Sequence, residues 1–370
     1  MFDVKLTALI VVLDFGSLIL LAMLNFTNPL KVNRIANRYF GMFLLLWSSF
    51  FFDEIFFLLF SVEPEGVWQM LLRFVQYFGP MFFYFSIVFY SNPTVKFSKI
   101  VLPHLLLPLI FLTGLCFYYF HESTFDWLND ALISLLLGQT LFYSLLSWYK
   151  IRVHQKRVLL YSSNIHEIDL FWLERLIIGV CILILAVIFY NVFFYQKSLN
   201  VFMSSIQLLI IYFVAYYSLR QKEIFPFSEA SRSEILSIQE QGDFEETKKK
   251  IVSDEEIVIQ KSRLHKFMLK EKPYIDPEIN LVKLADMFGI TPHKLSYIIN
   301  SGFNRNFFNF INGYRVDEAK VLLLNPKMDQ YSILGIAYES GFNSKTSFNS
   351  TFKNITGLTP TEFKKRGSTL

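Results

Sequence analysis

Apolar residues run almost unbroken up to about residue 220 and then recur only in short helical periods. Seven of the long runs approach the ~20 residues that a helix needs to cross a bilayer. They cover 5–24, 39–60, 67–91, 99–120, 129–149, 171–195 and 200–219. The first has no basic leader and no small-residue cleavage site, so it reads as a retained helix and not a signal peptide. Past residue 220, leucine, isoleucine and phenylalanine return at intervals of three and four between polar residues, the mark of amphipathic helices. The fold class predicted is all-α: a polytopic seven-helix transmembrane bundle, a linker and a helical domain with two helix-turn-helix units. The boundaries expected are 1–220 for the membrane domain, 221–256 for the linker and 257–370 for the terminal domain.

The loops between the runs alternate in charge. Lys31, Arg34, Arg38, Lys96, Lys99, Lys150, Arg152, Lys156, Arg157, Arg220 and Lys222 follow the first, third, fifth and seventh runs. Glu63, Glu65, Glu122 and Asp126 occupy the opposite loops, with Lys197 their one clear basic residue. Basic loops stay in the cytoplasm. The chain is therefore expected in the cell (inner) membrane, multi-pass, with its N-terminus outside and its C-terminal domain in the cytoplasm.

Composition sharpens this picture. Apolar residues make up 53% and charged residues 18% of the 370, with 42 phenylalanines, which excludes an ordinary soluble globule. Residues 257–370 hold 16 Lys+Arg against 9 Asp+Glu, whereas 223–256 hold 4 against 10. A basic module behind an acidic tether fits a polyanionic partner. Cys116 and Cys181 lie inside apolar runs, a placement of packing residues and not of a disulfide framework or metal site. No phosphate loop, GxSxG, HExxH or CxxC occurs, so neither enzyme activity nor a cofactor is expected.

Ionisable residues inside a membrane span are costly and mark function or packing. Asp14, Asp53, Glu54 and Arg73 are such residues, and helical rise brings them to similar depths in the outer half of the bilayer, near Gln76, Asn191 and Gln207. A buried Arg–carboxylate pair is expected there. It reads first as a device fixing helix packing, second as an outward-opening ligand pocket, and last as an ion path.

The terminal domain carries one pattern twice. In LVKLADMFGITPHKLSYIIN, Leu281, Leu284, Ala285 and Phe288 keep helical spacing and Gly289 turns the chain. Thr291 and Pro292 then give a cap and a first helical residue. Leu295 and Ile298 face inward, leaving His293, Lys294, Ser296, Tyr297 and Asn300 on the outer face. In SILGIAYESGFNSKTSFNSTFKN, Ile333, Ile336 and Ala337 pack and Gly341 turns, while Phe342, Phe348 and Phe352 fill the core. Asn343, Ser344, Lys345, Thr346, Asn349, Ser350 and Lys353 remain outside. Such polar faces suit base edges and phosphates in a major groove. The stretch between, Asn306–Asn325, predicts one continuous helix holding the two readers apart. Readers about 34 Å apart would enter successive major grooves on one face of DNA.

On LADMFGITPHKLSYI, YRVDEAKVLL, IAYESGFNSKTSFNSTFK and the closing GLTPTEF, the region Leu281–Phe363 resembles the DNA-binding domain of AraC/XylS-type transcription regulators. The resemblance implies two helix-turn-helix units, sequence-specific binding of double-stranded DNA, and activation through RNA polymerase. It also implies a structural hub at Arg315. Asn304 departs from the family's glycine but tolerates the same left-handed backbone, and Ser347 stands where an aromatic is common. The family's soluble sensor is replaced here by the membrane runs, so nothing about the effector transfers.

The partners expected are double-stranded DNA and the lipid bilayer, with RNA polymerase, a second copy of the chain and an unidentified effector as candidates. The reading is a membrane-bound one-component transcription regulator. A transporter or receptor with a regulatory helical module stands as the alternative.

Overall fold

The computed structural model describes residues 2–62, 66–95, 102–120, 126–165, 167–193, 200–242 and 253–367. Among these the fold is all-helical, and the one ladder contact is an isolated antiparallel bridge between Ser162 and Asn280. The chain divides into two compact units: Met1–Val153 with Leu170–Ile224, and His154–Asp169 with Phe225–Leu370. That division departs from the expected boundaries. Most of the loop between the fifth and sixth predicted spans, His154–Asp169, belongs to the second unit, as do the described parts of the acidic linker from Phe225 on.

The first unit opens with α1 (Phe2–Thr27), α2 (Arg34–Ser48) and α3 (Phe52–Phe60), the last two joined through a 3-10 turn. α4 (Val67–Gln76), α5 (Gly79–Ser91), α6 (Leu106–Phe120) and α7 (Asp126–Val158) follow. Among the described residues, five helical stretches are long and apolar enough to cross a membrane: Leu6–Thr27, Arg34–Phe60, Val67–Ser91, Leu102–Phe120 and Trp127–Val158. They coincide with the first five predicted spans. The predicted sixth and seventh fall on α8 (Phe171–Phe193) and α9 (Asn200–Arg220), with 194–199 outside the described residues. Glu63, Glu65, Lys96, Lys99, Glu122 and Lys197, which entered the loop-charge reading, also lie outside them.

α2 packs against α1 and α5, and α1 against α9. Phe40 and Leu44 of α2 are fully buried at this centre. Leu20, Met23, Leu59 and Leu209 point outward, more than half exposed. Large apolar side chains facing out around a helical bundle match a hydrocarbon surround.

The second unit contains α10 (Glu229–Gly242), α11 (Asp254–Glu271), α12 (Leu281–Phe288) and α13 (Pro292–Phe303). α14 (Phe307–Leu323), α15 (Ile333–Glu339), α16 (Lys345–Thr356) and α17 (Pro360–Gly367) complete it. Capping explains the helix starts. Ser253, Asn280, Thr291, Asn306, Ser332 and Ser344 each accept a backbone N–H three residues on, which satisfies a donor that the helix leaves orphaned. Leu264 and Met268 of α11 are fully buried and Phe267 meets Phe288 edge-on at 5.4 Å, so the apolar face of α11 packs onto the module.

Candidate nucleic-acid interface

Two helix pairs form the candidate interface. In the first, Leu281, Leu284, Ala285, Leu295, Ile298 and Ile299 are wholly buried between α12 and α13. Gly289 ends α12 at φ +75°, in the left-handed region that glycine enters without steric cost. Asn304 ends α13 at φ +53°. Its short polar side chain tolerates the conformation that the sequence demanded there.

In the second pair, Ile336, Ala337, Phe342, Phe348 and Phe352 join Val316, Ala319 and Leu323 of α14 in one core. Gly341 has φ +89°, and a Cβ there would run into the Tyr274 carbonyl oxygen. Glycine is required twice over at this position, by backbone conformation and by close approach. α17 closes the pair, with Phe363 against Phe352 at 5.4 Å.

α14 joins the pairs as a single helix of 17 residues, about 25 Å long at the standard rise. Arg315 lies near its middle, 2% exposed. Its Nε donates to the Tyr274 carbonyl at 2.8 Å, Nη2 to the Asp276 carbonyl at 2.9 Å, and Nη1 to Asn312 Oδ1 at 3.2 Å. Burial pushes the guanidinium down to about 10, while Asp276 and Glu278 hold it up. It therefore stays charged at neutral pH, and the hub role implied for Arg315 has a geometric basis.

A further contributor is the loop His154–Asp169. Leu281 N–H donates to the Tyr161 carbonyl at 2.9 Å, and Phe308 N–H to the Leu159 carbonyl at 3.0 Å. Ser163 Oγ donates to the Ile279 carbonyl at 2.7 Å and accepts from Arg315 Nη2 at 3.2 Å. Asn312 Nδ2 donates to the Ser163 carbonyl at 3.2 Å. Tyr161, 1% exposed, stacks on Phe225 at 5.8 Å. Sequence reasoning missed this strap because its contacts are largely backbone groups and small hydroxyls, which leave no periodic trace. The Tyr-Ser-Ser run was the faint signal available.

The predicted reading residues fall into two sets. In the first pair His293, Lys294 and Tyr297 are half-buried, and Ser296 is buried at 6% exposure. Ser296 thus does not stand on an open face as expected, because α10 and α11 both pack against α13. Lys294 Nζ lies 2.7 Å from Glu256 Oε1, and the His293 N–H donates to Glu234 Oε1 at 3.0 Å. In the second pair Lys345, Thr346 and Lys353 are exposed, and Asn343, Ser344 and Asn349 are half-buried. Ser344 Oγ is committed to capping Ser347 N–H. Lys345, Thr346, Asn349, Ser350, Lys353 and Thr359 line one shallow open concavity. Among the described residues Lys345 makes no ion pair. An open rim of ammonium, hydroxyl and amide groups on one helix suits phosphate and base-edge contact.

The membrane cluster is only partly assembled. Asp14 is fully buried, with neither carboxylate oxygen hydrogen-bonded. Arg73 donates to Asn129 Oδ1 at 3.1 Å and lies over the Tyr119 ring at 5.9 Å. Arg73 forms no ion pair among the described residues, so the expected Arg–carboxylate pair is replaced by an Arg–amide bond. The physical reason is that α7 presents the Asn129 amide to the guanidinium. Asp53 is half-buried and Glu54 exposed. Gln76 donates to the Ser49 carbonyl at 3.1 Å. Gln207 is half-buried, and the Asn191 side chain lies outside the described residues.

Comparison with known proteins places a helix-turn-helix domain in this region. Residues 284–366 match the family model of a helix-turn-helix domain, of AraC type. The chain is similar to an uncharacterized HTH-type transcriptional regulator in the cgkA 5' region of Pseudoalteromonas carrageenovora. The two are 29% identical over 130 residues, covering 35% of this chain and 72% of that protein. No solved structure matches the chain at a significant level. The second unit thus carries a helix-turn-helix domain of the kind found in DNA-binding transcription regulators.

Proposed function

We propose that the chain is a membrane-bound, one-component transcription regulator. Seven spans hold it in the cell membrane with the N-terminus outside, and two helix-turn-helix units read double-stranded DNA from the cytoplasm. The observation that carries this reading is the open polar face of α16. Lys345 and Lys353 flank Thr346 and Asn349 there, in a domain matched by a helix-turn-helix family model. The role is regulatory and not enzymatic. The spans sense an effector, and RNA polymerase and a second copy of the chain are its further partners. Two routes lead from the spans to the reader: the linker after the seventh span and the strap His154–Asp169 between the fifth and sixth.

The test is footprinting with the full chain in lipid nanodiscs. A defined protected site is expected, with affinity falling steeply as salt rises, because phosphate contacts release counterions. Absence of any protected site, or binding indifferent to salt, removes the reading.

The buried, unbonded Asp14 favours a second reading, a transporter carrying a regulatory module. Solute uptake that survives deletion of 221–370 and is lost in Asp14→Asn would establish it.

A further inference from the structure

The first reading helix is held by the chain's own acidic tether. α10 and α11 both pack on α13, and Ile235, Leu236 and Ile238 of α10 are buried. α10 is anchored at its start by Arg232, whose Nη2 donates to the Phe225 carbonyl at 3.0 Å and to the Phe227 carbonyl at 3.3 Å. At the N-terminus of α13 every early donor is occupied. Pro292 has no N–H, His293 N–H donates to Glu234 Oε1 at 3.0 Å, and Lys294 N–H donates to Thr291 Oγ1 at 3.3 Å. The lysine's ammonium group meets Glu256 Oε1 at 2.7 Å. At the far end of the same helix, a Cβ on Gly302 would stand in contact with Ile257 and Lys261 of α11.

A helix N-terminus and a neighbouring lysine are the groups with which a reading helix grips phosphate. Here two carboxylates, one from each tether helix, stand on those groups. The equivalent end of α16 has no such partner: Ser344 caps it locally, and Lys345 is exposed and free of ion pairs among the described residues.

We infer that α10, together with the start of α11, is an autoinhibitory element in which Glu234 of α10 and Glu256 of α11 stand in for DNA phosphates on the first reader. This inference rests on the DNA-reading function proposed above. In this state only the second reader is open to DNA. Binding in two successive grooves requires α10 to leave α13. The carboxylate–lysine pair is partly solvated and so is individually weak, and apolar burial of α10 holds most of the contact. A mask of that kind releases when its anchor moves, and the anchor follows directly on the last predicted span.

The experiment uses the full chain in lipid nanodiscs and a 60-base-pair duplex enriched from a random-sequence pool on the Glu234→Ala/Glu256→Ala chain. Wild type is expected to protect one major-groove segment. The double variant is expected to protect two, one turn apart, with affinity raised about tenfold, the size of a typical coupling between sites. Ile235→Asp keeps both carboxylates and adds a third, yet is expected to extend the footprint in the same way by undocking α10. Glu229→Ala/Glu271→Ala removes the same charge elsewhere and is expected to leave the footprint at wild-type length.

Equal footprints for wild type, the double variant and Ile235→Asp overturn the mask and leave the DNA reader standing. So does an extension that Glu229→Ala/Glu271→Ala reproduces. Protection by none of the chains overturns the DNA reading and the mask together. Hydrogen exchange over α12–α14 separates undocking from unfolding, since faster exchange is expected at the start of α13 alone and exchange throughout α12–α14 overturns the mask.

Discussion

The two reading pairs share one plan and differ in what covers them. In both, a capped helix, a left-handed glycine and a second capped helix bury an apolar seam and turn polar side chains outward. Around α13 His293, Lys294 and Tyr297 are half-buried and Ser296 is buried, with the His293 N–H and the Lys294 ammonium bonded to tether carboxylates and Asn300 exposed. Around α16 the two lysines and Thr346 are open to solvent. Repetition in sequence therefore gives equal folds but unequal access. The inequality comes from residues outside the repeat, Glu234 and Glu256.

The largest effect expected is on what the pairs share. Arg315→Ala strips the donors from the buried Tyr274 carbonyl and the partly buried Asp276 carbonyl, and from Asn312 and Ser163. Leaving buried acceptors unpaired costs about 1–3 kcal/mol each, so a loss of about 4 kcal/mol is expected. Chemical denaturation of the full chain in nanodiscs, followed by hydrogen exchange over both pairs, checks this. Loss confined to one pair would break the view of Arg315 as a common hub.

The next largest effect separates the pairs. Gly341→Ala meets both a left-handed backbone and the Tyr274 carbonyl, for a cost of about 3 kcal/mol from strain and overpacking together. Gly289→Ala meets open space at φ +75° and pays only the left-handed term, about 1–2 kcal/mol. Thermal melts of the two variants side by side are the check. Equal losses would remove the distinction drawn between the two turns.

These positions also show what a sequence discloses. The repeat, both glycine turns, the cap at Thr291 and the connecting helix were all legible, since each rests on neighbours in the chain and obeys local rules; Ser344, read as a DNA contact, is instead the cap of α16. The first five long apolar helices were legible for the same reason, as runs of apolar residues. The strap His154–Asp169 was not. It joins the module through backbone groups and the Ser163 hydroxyl, with partners 116 to 152 residues distant in sequence, and backbone groups are the same in every residue. Nor was the covering of α13 legible. Periodicity says which face of a helix is polar, but not whether another helix lies on that face. Arg73 taught the same lesson in the first unit, where charge alone suggested a carboxylate partner and the partner found is an amide.

A smaller effect tests access itself. Lys345→Ala is expected to weaken DNA binding by the wild-type chain about tenfold, roughly 1.4 kcal/mol. Lys294→Ala should change it little, because that lysine is already held by Glu256. In the Glu234→Ala/Glu256→Ala background the two substitutions should become comparable. Fluorescence anisotropy with one duplex for all four chains is the measurement. Comparable losses in the wild-type background would mean that both readers touch DNA without any release.

The smallest effect concerns the closing helix that backs only the second pair. Thr359 N–H and Oγ1 both donate to Glu362 Oε2 at 2.8 Å, and Glu362 N–H donates to Thr359 Oγ1 at 3.3 Å, a reciprocal cap at the start of α17. Bonds from the Thr359 backbone and hydroxyl hold the Glu362 carboxyl below its ordinary value of 4.5, with Lys353 and Arg366 adding to the effect. A carboxylate depressed on folding contributes stability that is complete above 4.5 and is lost as pH falls through its lower folded value. Hydrogen exchange of the segment 358–367 should therefore quicken as the medium is acidified below pH 4.5, beyond the intrinsic pH dependence of exchange. Glu362→Gln should exchange faster at neutral pH and lose most of that extra acid sensitivity. Because Glu362 is solvent-exposed, the difference will be small, and it should not extend to α12 or α13, which lack any contact of this kind with α17. An acid response of equal size in the first pair would show that titration elsewhere governs both readers.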